Sequence, residues 1–287
     1  MIIGCGDVGL RVAGLLPAKV KVLALTSSQH RLPELRGKGI TPLLGNLDNL
    51  GTLGRLAGIA THVVHLAPPP NAELQAVADP RTKVLLRALR RRSPLQKLVY
   101  GSTSGVYGDC QGQWVTENRQ VNATTPRAQR RVDAEAEVRW FGRASGVPIH
   151  ILRIPGIYAP DREGGTPRAR LLKGMPVLNT VDDVYTNHIH ADDLARACLA
   201  ALYRGKPQRI THASDDTDLK MGDYFDMAAD LYGLARPLRL ARADLKAQLP
   251  AMQVSFMSES RRLSNRRLKT ELRVKLRYPT VRDGLVK

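Results

Sequence analysis

The chain has no apolar run near the ~20 residues that a membrane-spanning helix needs. It enters a glycine-rich loop at Gly4, so no signal peptide is expected. Its three cysteines, Cys5, Cys110 and Cys198, are too few and too widely spaced for a disulfide framework or a zinc site, and suit a reducing cytoplasm. No metal site is expected, because His188 and His190 stand at i, i+2 without a nearby third ligand. Aromatic residues are 5% of the chain, too few for a base-stacking platform, and no helix-turn-helix, zinc-finger or RNA-recognition signature is present. The formal net charge of +18, densest at 81–92 and 261–277, is therefore read as an arginine-rich solvated surface that also attracts anionic cofactors, with no nucleic-acid partner expected. Acidic residues are missing from one stretch in particular: between Asp7 and Glu34 there is none.

What is present begins with Ile2-Ile3, a short apolar strand that runs straight into Gly4-Cys5-Gly6-Asp7-Val8-Gly9. Val8, Val12, Leu15 and Leu16 recur at helical spacing, Pro17 closes the helix, and 20–25 reads as a second strand. This βαβ start is the setting of a dinucleotide site. The first glycine permits a tight turn, the second lets backbone approach a pyrophosphate, and the third lets the helix pack close to the strand. The N–H groups of the first helical turn, at Asp7 and Val8, and the helix's positive end then face the phosphates. Cys5 lies near that helix start, a position that lowers a thiol pKa, but a small residue filling a tight loop explains it. The first strand is so short that a start upstream of Met1 is expected.

Strand and helix patterns alternate through 154. Strands are expected at 40–44, 61–67, 97–100 and 149–154, and helices at 31–38, 47–57, 80–92 and 125–144. Beyond Pro155 the pattern loosens into Pro-, Gly- and Arg-rich loops with a short helix at 168–172, a clear helix at 192–203 and a last strand at 209–213. The fold class is α/β: a Rossmann-type doubly wound parallel sheet with a smaller, mostly helical C-terminal substrate domain. Residues 1–154 and 187–213 are expected to form the dinucleotide-binding domain, and 155–186 with 214–287 a discontinuous substrate domain.

NAD-preferring folds place an acid near the end of the second strand, on the ribose 2′-hydroxyl. Here that strand ends in Thr26-Ser27-Ser28-Gln29-His30-Arg31. Thr26, Ser27, Ser28 and Arg31 are donors suited to a 2′-phosphate, so NADP is expected in preference to NAD. Helix capping by the serines and a solvated Arg31 is the bland alternative.

Further segments follow in order: Val64-His65-Leu66-Ala67, Gly101-Ser102-Thr103-Ser104-Gly105-Val106-Tyr107-Gly108, Arg153-Ile154-Pro155-Gly156-Ile157-Tyr158-Ala159-Pro160 and Asn187-His188-Ile189-His190-Ala191-Asp192-Asp193. Together they resemble the extended short-chain dehydrogenase/reductases, the NAD(P)-dependent epimerase/dehydratase group, and an atypical bacterial branch of it. The resemblance implies that Gly4, Gly6 and Gly9 hold the pyrophosphate. It puts Asn46 and Leu47 beside the adenine, Ala67 at the cofactor ribose, and Pro155, Gly156 and Ile157 near the nicotinamide. Thr103 matches the family's catalytic Ser/Thr. The family's Tyr-x-x-x-Lys pair is replaced by Arg127 and Arg131, whose four-residue spacing puts both on one helix face. Arg131 can stand in for lysine as a ribose ligand and fixed charge. Arg127 cannot act as a base, since guanidinium stays protonated, but it can stabilise developing negative charge or clamp an anion.

Another proton carrier is then required. Tyr107, Tyr158, Tyr185, His188 and His190 are candidates, with Tyr158 first because it follows the sixth strand at the sheet's C-terminal edge. Two functions remain open at this point. One is an NADP-dependent oxidoreductase or epimerase/dehydratase-like enzyme, monomeric or homodimeric, acting on a small carbonyl or alcohol substrate; Arg127, Arg168 and Arg170 suit an anionic or nucleotide-sugar-like one. The other is a non-catalytic NAD(P)-binding sensor, which the loss of the Tyr/Lys pair favours.

Overall fold

The computed structural model describes residues 1–70, 77–248, 254–255 and 257–286. Parts of the expected helical tail, at 249–253, 256 and 287, lie outside the described residues. The first half alternates β1 (Ile2–Ile3), α1 (Asp7–Gly14), β2 (Leu23–Thr26), α2 (Leu32–Gly37), β3 (Thr41–Leu44), β4 (His62–His65), α3 (Pro80–Arg90) and β5 (Lys97–Thr103). Then come β6 (Trp114–Val115), α4 (Pro126–Ser145), β7 (Ile149–Ile154), β8 (Gly156–Tyr158), α5 (Arg168–Leu172), β9 (Val177–Leu178), β10 (Tyr185–Thr186), β11 (His188–His190), α6 (Ala191–Arg204) and β12 (Arg209–His212). The helix expected at 47–57 is a 3₁₀ run, Leu50–Leu56, as suits a stretch with two glycines whose buried residues, Leu53 and Leu56, stand three apart.

Seven strands form one parallel sheet in the order β12-β7-β5-β4-β1-β2-β3. The chain reverses direction across the sheet between β1 and β4, and ligands of such sheets bind at the strands' C-terminal ends beside that switch point. Gly4 follows β1 directly there. Buried on both faces, the inner strands β1, β2, β5 and β7 read as nearly continuous apolar runs, while the edge strand β3 is partly exposed. Leu98, Tyr100, Ile149 and Ile151 pack with α3 and α4 through Leu85, Leu89, Val138 and Phe141. Val99, Leu152 and Ile154 turn to the other face, toward α1 and α6, with Val12, Leu194 and Cys198. Helix α4 starts and stops on local signals: the Thr125 hydroxyl accepts from the Ala128 N–H, Pro126 takes the first turn, and Gly146 ends it at φ +70°.

The remainder adds β13 (Leu219–Lys220), α7 (Met221–Tyr232), β14 (Arg239–Leu240), α8 (Arg242–Gln248), β15 (Arg262–Leu263), α9 (Arg266–Thr270) and α10 (Val281–Gly284). Four short strand pairs lie outside the main sheet, β8–β11, β9–β14, β10–β13 and β6–β15, which the helical reading of the C-terminal part did not foresee. At two or three residues each, they are too short to carry an alternating pattern. Tyr158, Leu171, Val177, Tyr224, Phe225 and Val281 share a separate apolar core here. No described helix is long and apolar enough to cross a membrane.

Candidate functional site

Gly4 sits at φ +84°, and a Cβ on it would lie 2.4 Å from the Ala67 backbone nitrogen. The loop thus packs backbone to backbone against the end of β4, and Ala67 is fixed beside it. A Cβ on Gly9 would come within 3.1 Å of the Gly4 carbonyl, so this glycine lets α1 close onto β1. Gly6 is different: a Cβ there meets no atom of the described residues within 4 Å. The glycine loop, Ser102, Thr103, Arg131, Pro155 and Ile157 line a cleft of about 310 Å³. The buried Ser102 Oγ on its wall has no hydrogen-bond partner among the described residues. An open face over the loop and an unmet hydroxyl fit a phosphate-bearing ligand.

Asp7, the first residue of α1, would repel such a ligand were it not neutralised. Its carboxylate pairs with Arg11 at 3.1 Å and Arg162 at 2.8 Å. Arg162 also lines the cleft, a role its Pro/Gly/Arg-rich loop gave no sequence signal for. Burial pushes the Cys5 thiol up to about 11, the Arg31 guanidinium opposing, so burial overrides the helix-start effect.

Beyond the end of β2, Arg31 Nη1 donates to the Cys5 carbonyl at 2.8 Å while Nε donates to Glu34 at 3.0 Å. Thr26 is buried and its hydroxyl accepts from the Ser28 N–H at 3.2 Å; Ser27 is exposed, and neither serine side chain caps a helix. Asn46 follows β3 and turns back on itself, its Oδ1 accepting from the Asp48 N–H at 3.0 Å, with Leu47 half-buried beside it.

Arg131 is braced at the cleft. Its Nη1 donates to the Gly101 carbonyl at 2.9 Å and to the Tyr100 hydroxyl at 3.1 Å. Tyr100 packs on His65, and His65 Nε2 lies 3.0 Å from the Thr82 hydroxyl, which donates to Asp79 at 2.7 Å. Arg127, one turn earlier on α4, lines a second cavity of about 400 Å³ instead. Thr103, Pro155 and Ile157 line both cavities, so the two meet at Thr103. The Thr103 hydroxyl accepts from the Gly105 N–H at 3.2 Å.

The second cavity is walled by β8, α5, β10, β11 and α7, and by Glu259 and Arg261. Arg170 lines it, whereas Arg168 is exposed outside it, being two residues round a short helix. Gly156 and the ring of Tyr158 are also in its wall. Tyr158 does not suit the proton carrier expected of it. Its hydroxyl donates to the Thr280 carbonyl at 3.1 Å, and burial, with Asp215 adding to it, drives its pKa far above the ordinary tyrosine value. Tyr107 is further removed, in a buried network: its hydroxyl lies 2.6 Å from His212 Nε2 and accepts from Arg153 Nη1 at 2.7 Å. His190 accepts from the Asp192 N–H at 3.2 Å and stacks on Tyr278. Of the five candidates, Tyr185 and His188 remain in the cavity wall with side chains not committed in this way. Burial holds His188 neutral, with its pKa down to about 4.

The reading of 261–277 as solvated charge fails at its first residue. Arg261 is 11% exposed and lines the cavity, its Nη1 donating to the Gly108 carbonyl at 2.6 Å and to Glu259 at 2.8 Å. Only the pairing of β15 with β6 brings it there, which local composition does not encode.

The family described as the NAD dependent epimerase/dehydratase family matches residues 5–212. An uncharacterized UDP-glucose epimerase, YtcB, of Bacillus subtilis (strain 168) is 30% identical over 161 residues, covering 53% of this chain and 49% of its own. The chain spans about half the length, or less, of the curated relatives first matched. Among solved structures, a functionally unknown conserved protein from Silicibacter pomeroyi DSS is 29% identical with a TM-score of 0.82, over 99% of this chain and 95% of that one. A UDP-glucuronic acid 4-epimerase from Bacillus cereus in complex with NAD shares the fold at 18% identity and a TM-score of 0.78, over 99% and 95%.

Proposed function

The chain belongs to the NAD dependent epimerase/dehydratase family, and from that premise we propose that it is an NADP(H)-using oxidoreductase or epimerase/dehydratase-like enzyme acting on a small anionic carbonyl or alcohol compound. The observation that carries this reading is the junction of the two cavities at Thr103, Pro155 and Ile157. A ligand held by the glycine loop and one held between α5 and α7 would meet there. A bound nicotinamide dinucleotide supplies hydride transfer to or from a substrate carbon. Gly4, Gly6 and Gly9 with the N–H groups of Asp7 and Val8 hold its pyrophosphate, Asn46 and Leu47 flank the adenine, and Ala67 borders a ribose. Arg131 takes a ribose and supplies fixed positive charge, while Pro155, Gly156 and Ile157 floor the nicotinamide end. Thr103 donates to the substrate oxygen, and Arg127 stabilises negative charge that develops on it.

The 2′-phosphate preference rests on Thr26, Ser27, Ser28 and Arg31, with no acid at the end of β2; solved neighbours carry NAD. The segments 155–186 and 214–287 are the substrate side of the molecule, and no nucleic-acid or membrane partner is invoked. Titration with NADPH and NADH by nicotinamide fluorescence tests the cofactor, NADPH being expected to bind at least tenfold tighter. Turnover of an acidic carbonyl compound that Thr103→Ala abolishes without changing NADPH binding tests the chemistry. A cofactor-binding sensor is the second reading. It is favoured by the arginines at the Tyr/Lys positions and by the Tyr158 hydroxyl held on Thr280; NADPH binding without turnover across a broad screen would decide for it.

A further inference from the structure

Arg170 Nε and Nη2 are buried and have no hydrogen-bond partner among the described residues. These two N–H groups form the side-on edge of the guanidinium, whose parallel donors match two oxygens of a carboxylate or phosphate. Elsewhere the protein fills that same edge from within. Arg153 Nε and Nη2 donate to Glu135 at 3.0 and 2.7 Å, and Arg81 donates likewise to Asp48 at 2.7 and 2.5 Å. Arg236 does so with Asp230 at 2.9 and 2.7 Å, and Arg209 with Glu271. At Arg170 the neighbour is an apolar ring: the guanidinium lies 4.5 Å from the Phe225 centroid. Burial lowers its pKa, the Tyr224 hydroxyl opposing. A sheltered guanidinium with an unfilled fork is costly to keep unless a ligand completes it.

Three further atoms share this condition. Arg261 Nε, His188 Nδ1 and Thr186 Oγ1 are buried without a partner among the described residues, and all four residues line the one 400 Å³ cavity. Arg261 is fixed by its Nη1 contacts to Gly108 and Glu259, and the Asn187 side chain braces its backbone carbonyl at 2.9 Å. Every unmet group is a donor or can serve as one. Among the described residues, no side-chain carboxylate or amide oxygen lining this cavity is buried and unmet.

We propose that this wall is an anion subsite, in which Arg170 takes a carboxylate or phosphate side-on and Arg261, His188 and Thr186 supply further donors. It rests on reading the cavity as the substrate pocket, and it names the substrate class: a carbonyl or alcohol compound with a terminal carboxylate or phosphate. Arg170 and Arg261 do not line the glycine-loop cleft, whereas Thr103 does. The anionic end and the reacting end of the substrate are therefore held by different walls.

Isothermal titration of the full chain with succinate and with inorganic phosphate reads the subsite without cofactor or turnover. One of the two is expected to bind the wild type at one site per chain, and which one assigns the anion. Arg170→Met keeps a long side chain against Phe225 and should weaken binding at least tenfold. Arg170→Lys should recover only part, because an ammonium lacks the fork, and Arg261→Met should weaken it as well. If Arg170→Met does not fold by circular dichroism, Arg170→Lys and Arg261→Met carry the comparison. NADPH affinity, titrated separately, should be unchanged in the Arg170 variants. The subsite is overturned if neither anion binds the wild type, or if the variants bind either as tightly. Anion binding with no NADPH binding would fail the cofactor reading and leave the subsite standing.

Discussion

Gly6→Ala separates what the glycine loop does for the fold from what it does for a ligand. Gly6 lies at φ −81°, which any residue adopts, and its added Cβ meets no atom of the described residues within 4 Å. The substitution should leave the apo protein as stable or raise stability by about 0.4–1 kcal/mol through the unfolded chain. At roughly 2–4 °C per kcal/mol for a chain of this size, Tm rises by about 1–4 °C or stays put. A pyrophosphate needs N–H···O distances of about 2.9 Å from this backbone, which a methyl group in between prevents. Cofactor affinity should fall at least about tenfold, or 1.4 kcal/mol. At NADPH near 100 times the wild-type Kd, the stabilisation is about 2.7 kcal/mol, a rise of roughly 5–11 °C. At that concentration the variant should gain only about 1.4 kcal/mol, roughly 3–6 °C. Gly4→Ala is the contrast. With φ +84° and a Cβ 2.4 Å from the Ala67 nitrogen, its apo Tm should drop by roughly 4 °C or more, from at least about 2 kcal/mol of strain and overpacking. Differential scanning fluorimetry with and without NADPH reads all four numbers. A Gly6→Ala protein that melts like wild type and shows the full NADPH shift would refute the phosphate cradle.

Arg131→Met removes the donor held between Gly101 and Tyr100 and should raise the NADPH Kd about tenfold; a fluorescence titration matching wild type would exclude Arg131 as a ribose ligand. Glu135→Leu strands Arg153, since this pair is 6% and 4% exposed. It should cost about 3–5 kcal/mol in urea unfolding, and a loss under 1 kcal/mol (roughly the value of an exposed pair) would contradict the burial. Burial holds His65, His188 and His212 at about 3, 4 and 3 against an ordinary 6.5. Below pH 6.5 the unfolded chain takes protons that the folded chain refuses, so each costs about 1.4 kcal/mol per pH unit down to its folded value. Asp215, pushed up to about 8 by burial, works the other way, its cost growing as pH rises from about 4 to 8. Tm should therefore fall steeply from pH 6.5 to 5 and gently from 6.5 to 8; a Tm at pH 5 no lower than at 6.5 would refute the buried neutral histidines.

The sequence by itself determined the parallel sheet, the glycine loop and the strand ends that carry Thr103 and Pro155, because these depend on local signals. Apolar runs, glycine spacing and the Thr125-Pro126 helix start act within a few residues of themselves. It also determined that Arg127 and Arg131 share a helix face, since 3.6-residue periodicity is a backbone property. Only the tertiary structure decided what those side chains meet. Arg131 turns to the glycine-loop cleft and Arg127 to the second cavity because the two cavities join across one turn of α4. Arg162 reaches Asp7 across 155 residues, and Arg261 reaches Gly108 across 153. Tyr158 is withdrawn by a carbonyl 122 residues away. Long side chains from loops find partners through packing that no local pattern records, so Arg261 read in sequence as surface charge and Arg162 as part of a loop.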